Sequence, residues 1–168
     1  RRQRRIAPSI TGPGAHGQAR PEVYDRNQLQ GSSMRIFVFE YVTGGGLAGR
    51  PMVAELVSEG DLMLRALVDD LTAIPGVQVE ISRDERLPAP GLQVPIHWVG
   101  SQAGLAAVLH RGIAGADAVW PIAPETDGAL EQLSRAVLAA GRTLLNSHPE
   151  AVALAPSKRE TVAALRER

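Results

Sequence analysis

Hydrophobic residues from Met34 onward follow two alternating patterns, short apolar runs and longer stretches of helical periodicity. The run from Ile36 to Phe39 is apolar at every position, which is typical of a strand buried on both faces of a parallel sheet. In the next run Gln78 and Glu80 alternate with apolar residues, so we expect that strand nearer an edge of the sheet. Five strands are predicted, at residues 34–39, 77–81, 95–99, 117–122 and 143–145.

Helical periodicity separates these strands. Leucine and valine recur at helical spacing between Asp61 and Ile74, and a proline–glycine pair ends that helix. A short helical piece is predicted before it, at residues 52–57, and a polar loop after the second strand, at residues 83–91. Later helices are predicted at residues 101–113, 128–140, after 146–149, and at 157–168, where Ser157 and Glu160 form a capping box. Strands alternating with helices predict an α/β domain with an open, doubly wound parallel sheet and helices on both faces.

Residues 1–33 differ from the rest of the chain. They carry a net charge of +4 and no apolar periodicity, whereas residues 34–168 carry −4. Such a segment buries too little apolar area to offset the entropy of ordering it. We therefore expect a disordered tag or non-native leader there, with a functional basic arm as the alternative. The α/β domain is predicted at residues 34–147, and residues 148–168 are predicted as the helical start of a truncated next region.

Composition excludes several classes of function. The acidic body gives no electrostatic reason to expect nucleic-acid binding. The chain has no cysteine, which excludes disulfides and thiolate metal sites and is compatible with a reducing, cytoplasmic setting. No apolar run is long enough to span a membrane. The four histidines, at positions 16, 97, 110 and 148, show no metal-ligand spacing.

Polar residues and three consecutive glycines follow the first strand. The carboxyl edge of an open parallel sheet is where ligands bind, and glycines let backbone N–H groups approach an anion. The spacing matches neither the dinucleotide fingerprint nor the P-loop. A flexible strand-to-helix turn is the alternative interpretation. The first candidate substrate-binding group is Glu40, Tyr41, Thr43, Gly44, Gly45 and Gly46.

A second polar group follows the fourth strand. Carboxylates next to a helix start are stabilised by the helix dipole and need no further role, which is the alternative here. Both groups, however, end strands of one parallel sheet at its carboxyl edge, so we expect them to face one cleft. The second candidate substrate-binding group is Pro124, Glu125, Thr126 and Asp127.

Taken together, these motifs resemble the amino-terminal part of ATP-grasp ligases. The resemblance rests on Phe39–Gly46, Glu59–Gly60 and Ile122–Gly128, followed by Ser147, Glu150–Ala151 and Ser157–Lys158, and covers residues 34–168. The first and third of these runs are specific as a pair. The pattern is most similar to the branch that contains tyramine-glutamate ligase of methanofuran biosynthesis.

The resemblance implies an ATP-dependent carboxylate–amine ligase that works through an acyl phosphate, in cofactor biosynthesis of the methanofuran or tetrahydromethanopterin type. It implies ATP and Mg²⁺ as cofactors of the full-length enzyme, held mainly by later domains, and an amino acid or amine as substrate bound at this domain. The chain alone is then expected to bind no cofactor and to be inactive. Lys158 matches the point where the family enters its ATP-grasp region, although Ser157 stands where an acid is usual.

Two other functions remain open on the sequence. One is a non-catalytic, flavodoxin-like module whose glycine turn binds a small anion or nucleotide. The other is a scaffold that forms a homodimer through the exposed end of the last predicted helix. A reading frame that continues with an acidic, glycine-containing ATP-grasp pattern favours the ligase over both.

Overall fold

The computed structural model of the chain describes residues 33–154. The predicted leader, apart from its last residue, lies outside these residues. So do Lys158, the capping box of Ser157 and Glu160, and the last predicted helix.

Five strands form one parallel sheet. They are Met34–Glu40 (β1), Val77–Asp84 (β2), Ile96–Val99 (β3), Ala118–Ile122 (β4) and Thr143–Leu144 (β5). Their order in the sheet is β3-β2-β1-β4-β5, with β1 at the centre. There Val38 pairs with Ile81 of β2 on one side and with Trp120 of β4 on the other. The predicted α/β fold with an open, doubly wound parallel sheet is confirmed.

Helices cover both faces of the sheet. They are Ala54–Thr72 (α1), Gln102–Gly115 (α2), Ala129–Ala139 (α3) and Pro149–Leu154 (α4), and a 3-10 turn at Thr126–Gly128 precedes α3. α1 packs on one face, against Ile36 and Val38 of β1. α2 and α3 share the opposite face, against Phe37 and Phe39. Successive residues of β1 thus enter two separate cores, as its continuous apolar run predicts.

β2 is longer and less peripheral than predicted. It continues through Arg83 and Asp84, which were expected in a polar loop, and β3 lies between it and the edge of the sheet. Arg83 is 1% exposed; its guanidinium binds the Asp61 carboxylate of α1, and its Nε donates to the Pro88 carbonyl at 2.9 Å. A polar run was mistaken for a loop because pairing over long sequence distances cannot be inferred from composition.

α1 is one continuous helix, whereas two pieces separated near Gly60 were predicted. Gly60 lies against the carboxylate of Glu40, and a Cβ there would stand 2.7 Å from Glu40 Oε2. Glycine weakens a helix interior, but here it lets α1 pass close to the end of β1. The residue that interrupts the periodicity therefore marks a packing contact. Within residues 33–154, no helix combines the length and apolar character that a bilayer crossing requires.

Candidate functional site

A cavity of about 550 Å³ lies between α2 and α3 at the carboxyl edge of the sheet. Tyr41 and Gly46 line it from the turn after β1, and Pro124 and Asp127 line it from the turn after β4. The structure therefore brings members of both predicted groups to one hollow, as expected from the shared edge. Whether they bind a ligand stays a prediction.

The cavity is polar at the carboxyl edge of the sheet. Arg50 and Asp127 contribute opposite charges there, and both residues are exposed. Within the described residues, neither side chain forms an ion pair or a hydrogen bond. An unpaired cation and an unpaired anion at one opening are suited to a ligand that carries both signs of charge.

Away from that edge, the cavity is apolar. Leu105, Leu109 and Ile113 lie on successive turns of α2 and form one wall. Leu133 of α3 faces the same space, and Phe39, which is 1% exposed over the whole residue, forms its floor. The hollow is thus an apolar slot between two helices with a charged opening.

Glu40 does not line this cavity, because its carboxylate is used within the turn that follows it. Glu40 is 3% exposed. Its Oε2 accepts from the Thr43 amide at 2.6 Å and the Thr43 hydroxyl at 2.7 Å, and its Oε1 accepts from the Val42 amide at 3.1 Å. Glu40 and Thr43 therefore fold the turn, and neither is placed to receive a substrate ammonium in the cavity.

The three glycines are tightly packed. A Cβ on Gly44 would stand 2.4 Å from the Glu40 carbonyl oxygen, and a Cβ on Gly45, at φ +100°, would stand 2.5 Å from Val99 Cγ1. The amides of Gly44 and Gly46 donate to the carbonyls of Glu40 and Tyr41, both at 2.8 Å. The expectation of free N–H groups that receive an anion is therefore wrong for Gly44 and Gly46, and the glycines serve close packing instead.

The turn after β4 presents its residues to solvent. Pro124, Glu125 and Asp127 are exposed, and Asp127 has a φ of +60°, the only positive φ among the described non-glycine residues. A positive φ is uncommon among non-glycine residues, although aspartate adopts it more often than most of them. Glu125 lies instead at a smaller hollow of about 110 Å³, beside Asn146 and Ser147. The two carboxylates that looked equivalent in sequence therefore line different spaces.

Arg50 was not among the predicted site residues. Its backbone is held by Arg86, whose Nη1 donates to the Arg50 carbonyl at 2.7 Å and whose Nη2 donates to the Leu47 carbonyl at 2.8 Å. Arg86 is itself fixed by Asp84, at 2.9 Å from Nε to Oδ1. The hydrogen bond from Arg86 holds the pKa of the Asp84 carboxyl below its usual value. The signal that could have found Arg50 was its position, a cation in the loop that leaves the carboxyl edge.

Gln102 and Gln132 are two further lining residues that the sequence did not single out. Gln102 opens α2, and its Nε2 donates to the Ala48 carbonyl at 2.6 Å. This bond ties the start of α2 to the loop that carries Arg50. Gln132 belongs to α3 and lies on the other side of the slot.

The residues described here do not fit ATP or Mg²⁺. Among residues 33–154, no group of three or more histidine, cysteine or acidic side chains is placed to hold a metal ion. The single lysine of the chain, Lys158, lies outside those residues. His97 pairs with Glu80 at 2.7 Å and packs edge-on against Phe37, both within or beside the sheet.

Comparison with known proteins matches part of the chain to one protein family. Residues 77–152 match the family model of the pre ATP-grasp 3 domain. The match takes in the turn after β4 and most of both cavity walls, and it excludes the glycine turn and Arg50. The predicted resemblance to ATP-grasp proteins is confirmed at this level, and the tyramine-glutamate ligase branch stays a prediction.

A solved structure has the same fold. It is a protein assigned to the ATP-grasp superfamily from Archaeoglobus fulgidus, 21% identical, with a TM-score of 0.61 over 80% of this chain. The chain covers 40% of the length of that structure. At this identity the likeness shows the fold. No curated protein matches the chain.

Proposed function

We propose that this chain is the amino-terminal, substrate-binding domain of an ATP-dependent carboxylate–amine ligase. In that reaction a carboxylate oxygen takes the γ-phosphoryl group of ATP, giving an acyl phosphate and ADP. An amine then attacks the acyl carbon, and phosphate leaves. The pre ATP-grasp match and the fold of the solved relative support the class of protein. The cavity at the carboxyl edge, with its unpaired Arg50 and Asp127, is the observation that carries the binding role.

In this proposal the chain's own residues bind and orient one substrate. Arg50 takes a carboxylate, Asp127 takes an ammonium, and the apolar walls exclude water. Exclusion of water is necessary because an acyl phosphate hydrolyses when water reaches it. ATP and Mg²⁺ supply the phosphoryl group and neutralise charge. The proposal assigns both to later domains, because the described residues offer neither a metal cluster nor a lysine.

The setting is also part of the proposal. The resemblance to the tyramine-glutamate ligase branch supports a place in cofactor biosynthesis of the methanofuran or tetrahydromethanopterin type, in the cytoplasm. With ATP binding assigned elsewhere, the 168-residue chain by itself is expected to release no ADP.

The test is ADP release by the natural full-length protein, supplied with ATP, Mg²⁺ and pairs of amino acids and amines. We expect release that requires both members of one pair. Arg50→Gln and Asp127→Asn should each raise the KM for one of them about tenfold, the usual effect of one lost charged contact. Arg111→Gln is the matched control, an exposed cation on α2 that does not line the cavity. A lack of ADP release with every pair would overturn the ligase proposal.

A non-catalytic binding module is the second candidate. It is favoured by one observation, that the described residues form a ligand-sized cavity without groups suited to ATP. It predicts ligand binding by the natural protein without any ADP release, so the same assay separates the two functions.

A further inference from the structure

We infer that the cavity between α2 and α3 binds a zwitterion with an apolar body, whose carboxylate faces Arg50 and whose ammonium faces Asp127. This inference rests on the proposed function, since it names the substrate class of the same site. It narrows the expected amino acid or amine to a molecule that carries both charges on one end and a hydrocarbon or aromatic group on the other.

The position of the charges sets the head of the ligand. Arg50 and Asp127 come to the lining from two different segments, the loop after β1 and the turn after β4. Both are exposed, and both lack a side-chain partner among residues 33–154. Two opposite charges at one opening, not paired with each other, are each satisfied by a ligand with the complementary pair. An amine alone or an acid alone leaves one of them unmatched.

The conformation of Asp127 supports its role as a ligand contact. Its φ of +60° lies in the left-handed region, which residues other than glycine, asparagine and aspartate avoid. The carboxylate forms no hydrogen bond in the described part of the chain that would repay this conformation. Gly128, next to it, is also left-handed at φ +68°, and together they turn the chain into α3. A positive φ at a cavity lining, with a carboxylate that has no partner among residues 33–154, fits a ligand-binding position.

The length of the apolar slot sets the body of the ligand. From Leu105 through Leu109 to Ile113 the wall advances eight residue steps along α2, which corresponds to about 12 Å along the helix axis. A cavity of about 550 Å³ lies within the range of sites for molecules larger than glycine or alanine. The slot contains no charged residue beyond its opening, because Leu133, Ala136 and Phe39 complete its walls. A charged side chain such as that of glutamate would therefore be desolvated without a partner.

Tyr41 connects the two ends of the cavity. Its ring packs edge-on against Phe39, with centroids 6.5 Å apart and planes at 87°. Gly46 donates to the Tyr41 carbonyl and also packs against the Tyr41 ring, where a Cβ on Gly46 would stand 2.5 Å from Cδ2. An aromatic or aliphatic body beside the charged head would contact this ring first.

The experiment measures binding of four probes to the full chain by titration calorimetry. The probes are L-phenylalanine, 2-phenylethylamine without the carboxylate, 3-phenylpropanoate without the ammonium, and L-alanine without the apolar body. We expect phenylalanine to bind about tenfold more tightly than either single-charge probe. Alanine should bind at least thirtyfold more weakly than phenylalanine. Equal affinity of phenylalanine and alanine, or of phenylalanine and both single-charge probes, would overturn the inference.

Two variants assign each charge. Arg50→Gln should weaken phenylalanine about tenfold and leave 2-phenylethylamine unchanged, because that probe has no carboxylate for Arg50 to bind. Asp127→Asn should weaken phenylalanine equally and leave 3-phenylpropanoate unchanged. Asparagine accepts a positive φ, so this variant keeps the backbone. Arg111→Gln should change none of the affinities. Variants that weaken all probes alike would overturn the assignment of the charges.

A third pair of variants tests the slot. Ala136→Phe fills the cavity, whereas Ala139→Phe adds the same ring on α3 outside the lining. We expect the first to abolish phenylalanine binding and the second to preserve it. Preserved binding in Ala136→Phe would place the ligand elsewhere and overturn the inference.

Failure of this inference is distinguishable from failure of the proposed function. ADP release with a pair of substrates that both lack an apolar body would support the ligase function and would contradict the inference that the cavity binds an apolar zwitterion. Phenylalanine binding that follows the expected pattern, without ADP release for any pair, would retain the site and remove the ligase.

Discussion

The two turns that end β1 and β4 use similar residues for opposite purposes. The turn after β1 is buried: Glu40 and Thr43 bind each other, and three packed glycines follow. The turn after β4 is exposed and left-handed, and Asp127 forms no hydrogen bond within residues 33–154. One turn lines the cavity with Tyr41 and Gly46, and the other presents the charge of Asp127 to it.

This difference shows that a carboxylate beside glycines has two distinct uses. In the first turn α1 passes over Glu40 at Gly60, so the carboxylate is sealed and satisfies amides of its own turn. The second turn leaves Pro124, Glu125 and Asp127 exposed, and α3 begins directly after it. Whether the carboxylate of such a turn is exposed therefore depends on packing by a neighbouring element and not on residue type. Glu40 is buried under α1, whereas Asp127 is exposed at the cavity.

The largest expected effect tests how tightly the first turn is packed. Gly45→Ala should lower the free energy of unfolding by about 2 to 4 kcal/mol, because it adds both a positive-φ penalty and a clash with Val99. Gly49→Ala is the matched control: its φ of +77° is also positive, but a Cβ there meets nothing within 4 Å. It should cost about 1 kcal/mol. Urea unfolding measures both, and equal losses would show that Val99 adds nothing.

The next effect compares the carboxylates of the two turns. Glu40→Gln should cost about 2 to 3 kcal/mol, because an amide group replaces one oxygen that accepts from buried donors. Glu125→Gln should stay within about 0.5 kcal/mol, as for an exposed side chain without a partner role. Thermal and urea unfolding of both variants give the comparison. If Glu125→Gln lowered the free energy of unfolding as much as Glu40→Gln does, the two turns would not differ in how their carboxylates are used.

The fold was predictable from the sequence because its signals are local. The apolar runs of β1 and β4 and the periodicity of α1 around Leu64 and Val68 each lie within a few residues. The end of β2 was not predictable in this way, because the buried Arg83 has its carboxylate partner, Asp61, 22 residues away on α1. Local patterns carry no information about such a partner.

The site was predictable only in outline. The shared edge of β1 and β4 follows from parallel topology, so the sequence placed Tyr41 and Asp127 at one hollow, and both line it. Glu40 and Glu125 were predicted in the same groups because the sequence does not show that Glu40 is buried under α1 or that Glu125 lies at a different hollow. Arg50 was missed since its place at the opening depends on Arg86 and Asp84, which the sequence put in a separate loop.

A smaller effect concerns the support of Arg50. Arg86 lowers the pKa of Asp84, so folding favours the ionised carboxyl. The ionised Asp84 carboxyl therefore stabilises the fold at pH values above its unfolded-state pKa of about 3.9. This stabilisation is lost as pH falls through the lower pKa that the group has in the folded state. Asp84→Asn should therefore cost about 1 to 2 kcal/mol at pH 7 and progressively less below pH 4.

The control for this pH dependence is Asp117→Asn. Arg35 also lowers the pKa of Asp117, first through its backbone amide, so the sign of the dependence is the same. The Asp117 side chain is 44% exposed and lies at the other edge of the sheet, so its loss should be smaller and leave ligand binding unchanged. Unfolding curves at pH 3, 5 and 7 make the comparison. If the stability lost in Asp84→Asn were the same at pH 3 as at pH 7, the loss would come from packing and not from the charge of the carboxyl.

The smallest effect lies at Asp127 and separates stability from binding. Asp127→Gly removes the positive-φ penalty and adds backbone entropy to the unfolded chain, so stability should rise by no more than about 0.5 kcal/mol. Asp127→Ala keeps the positive-φ penalty and has no polar side chain to bond its own backbone. Its free energy of unfolding should therefore fall by about 1 kcal/mol. Both variants remove the carboxylate, so both should weaken phenylalanine equally in calorimetry. If Asp127→Gly were destabilising by more than 1 kcal/mol, the carboxylate would be holding its own turn, as Glu40 does, and the two turns would be alike after all.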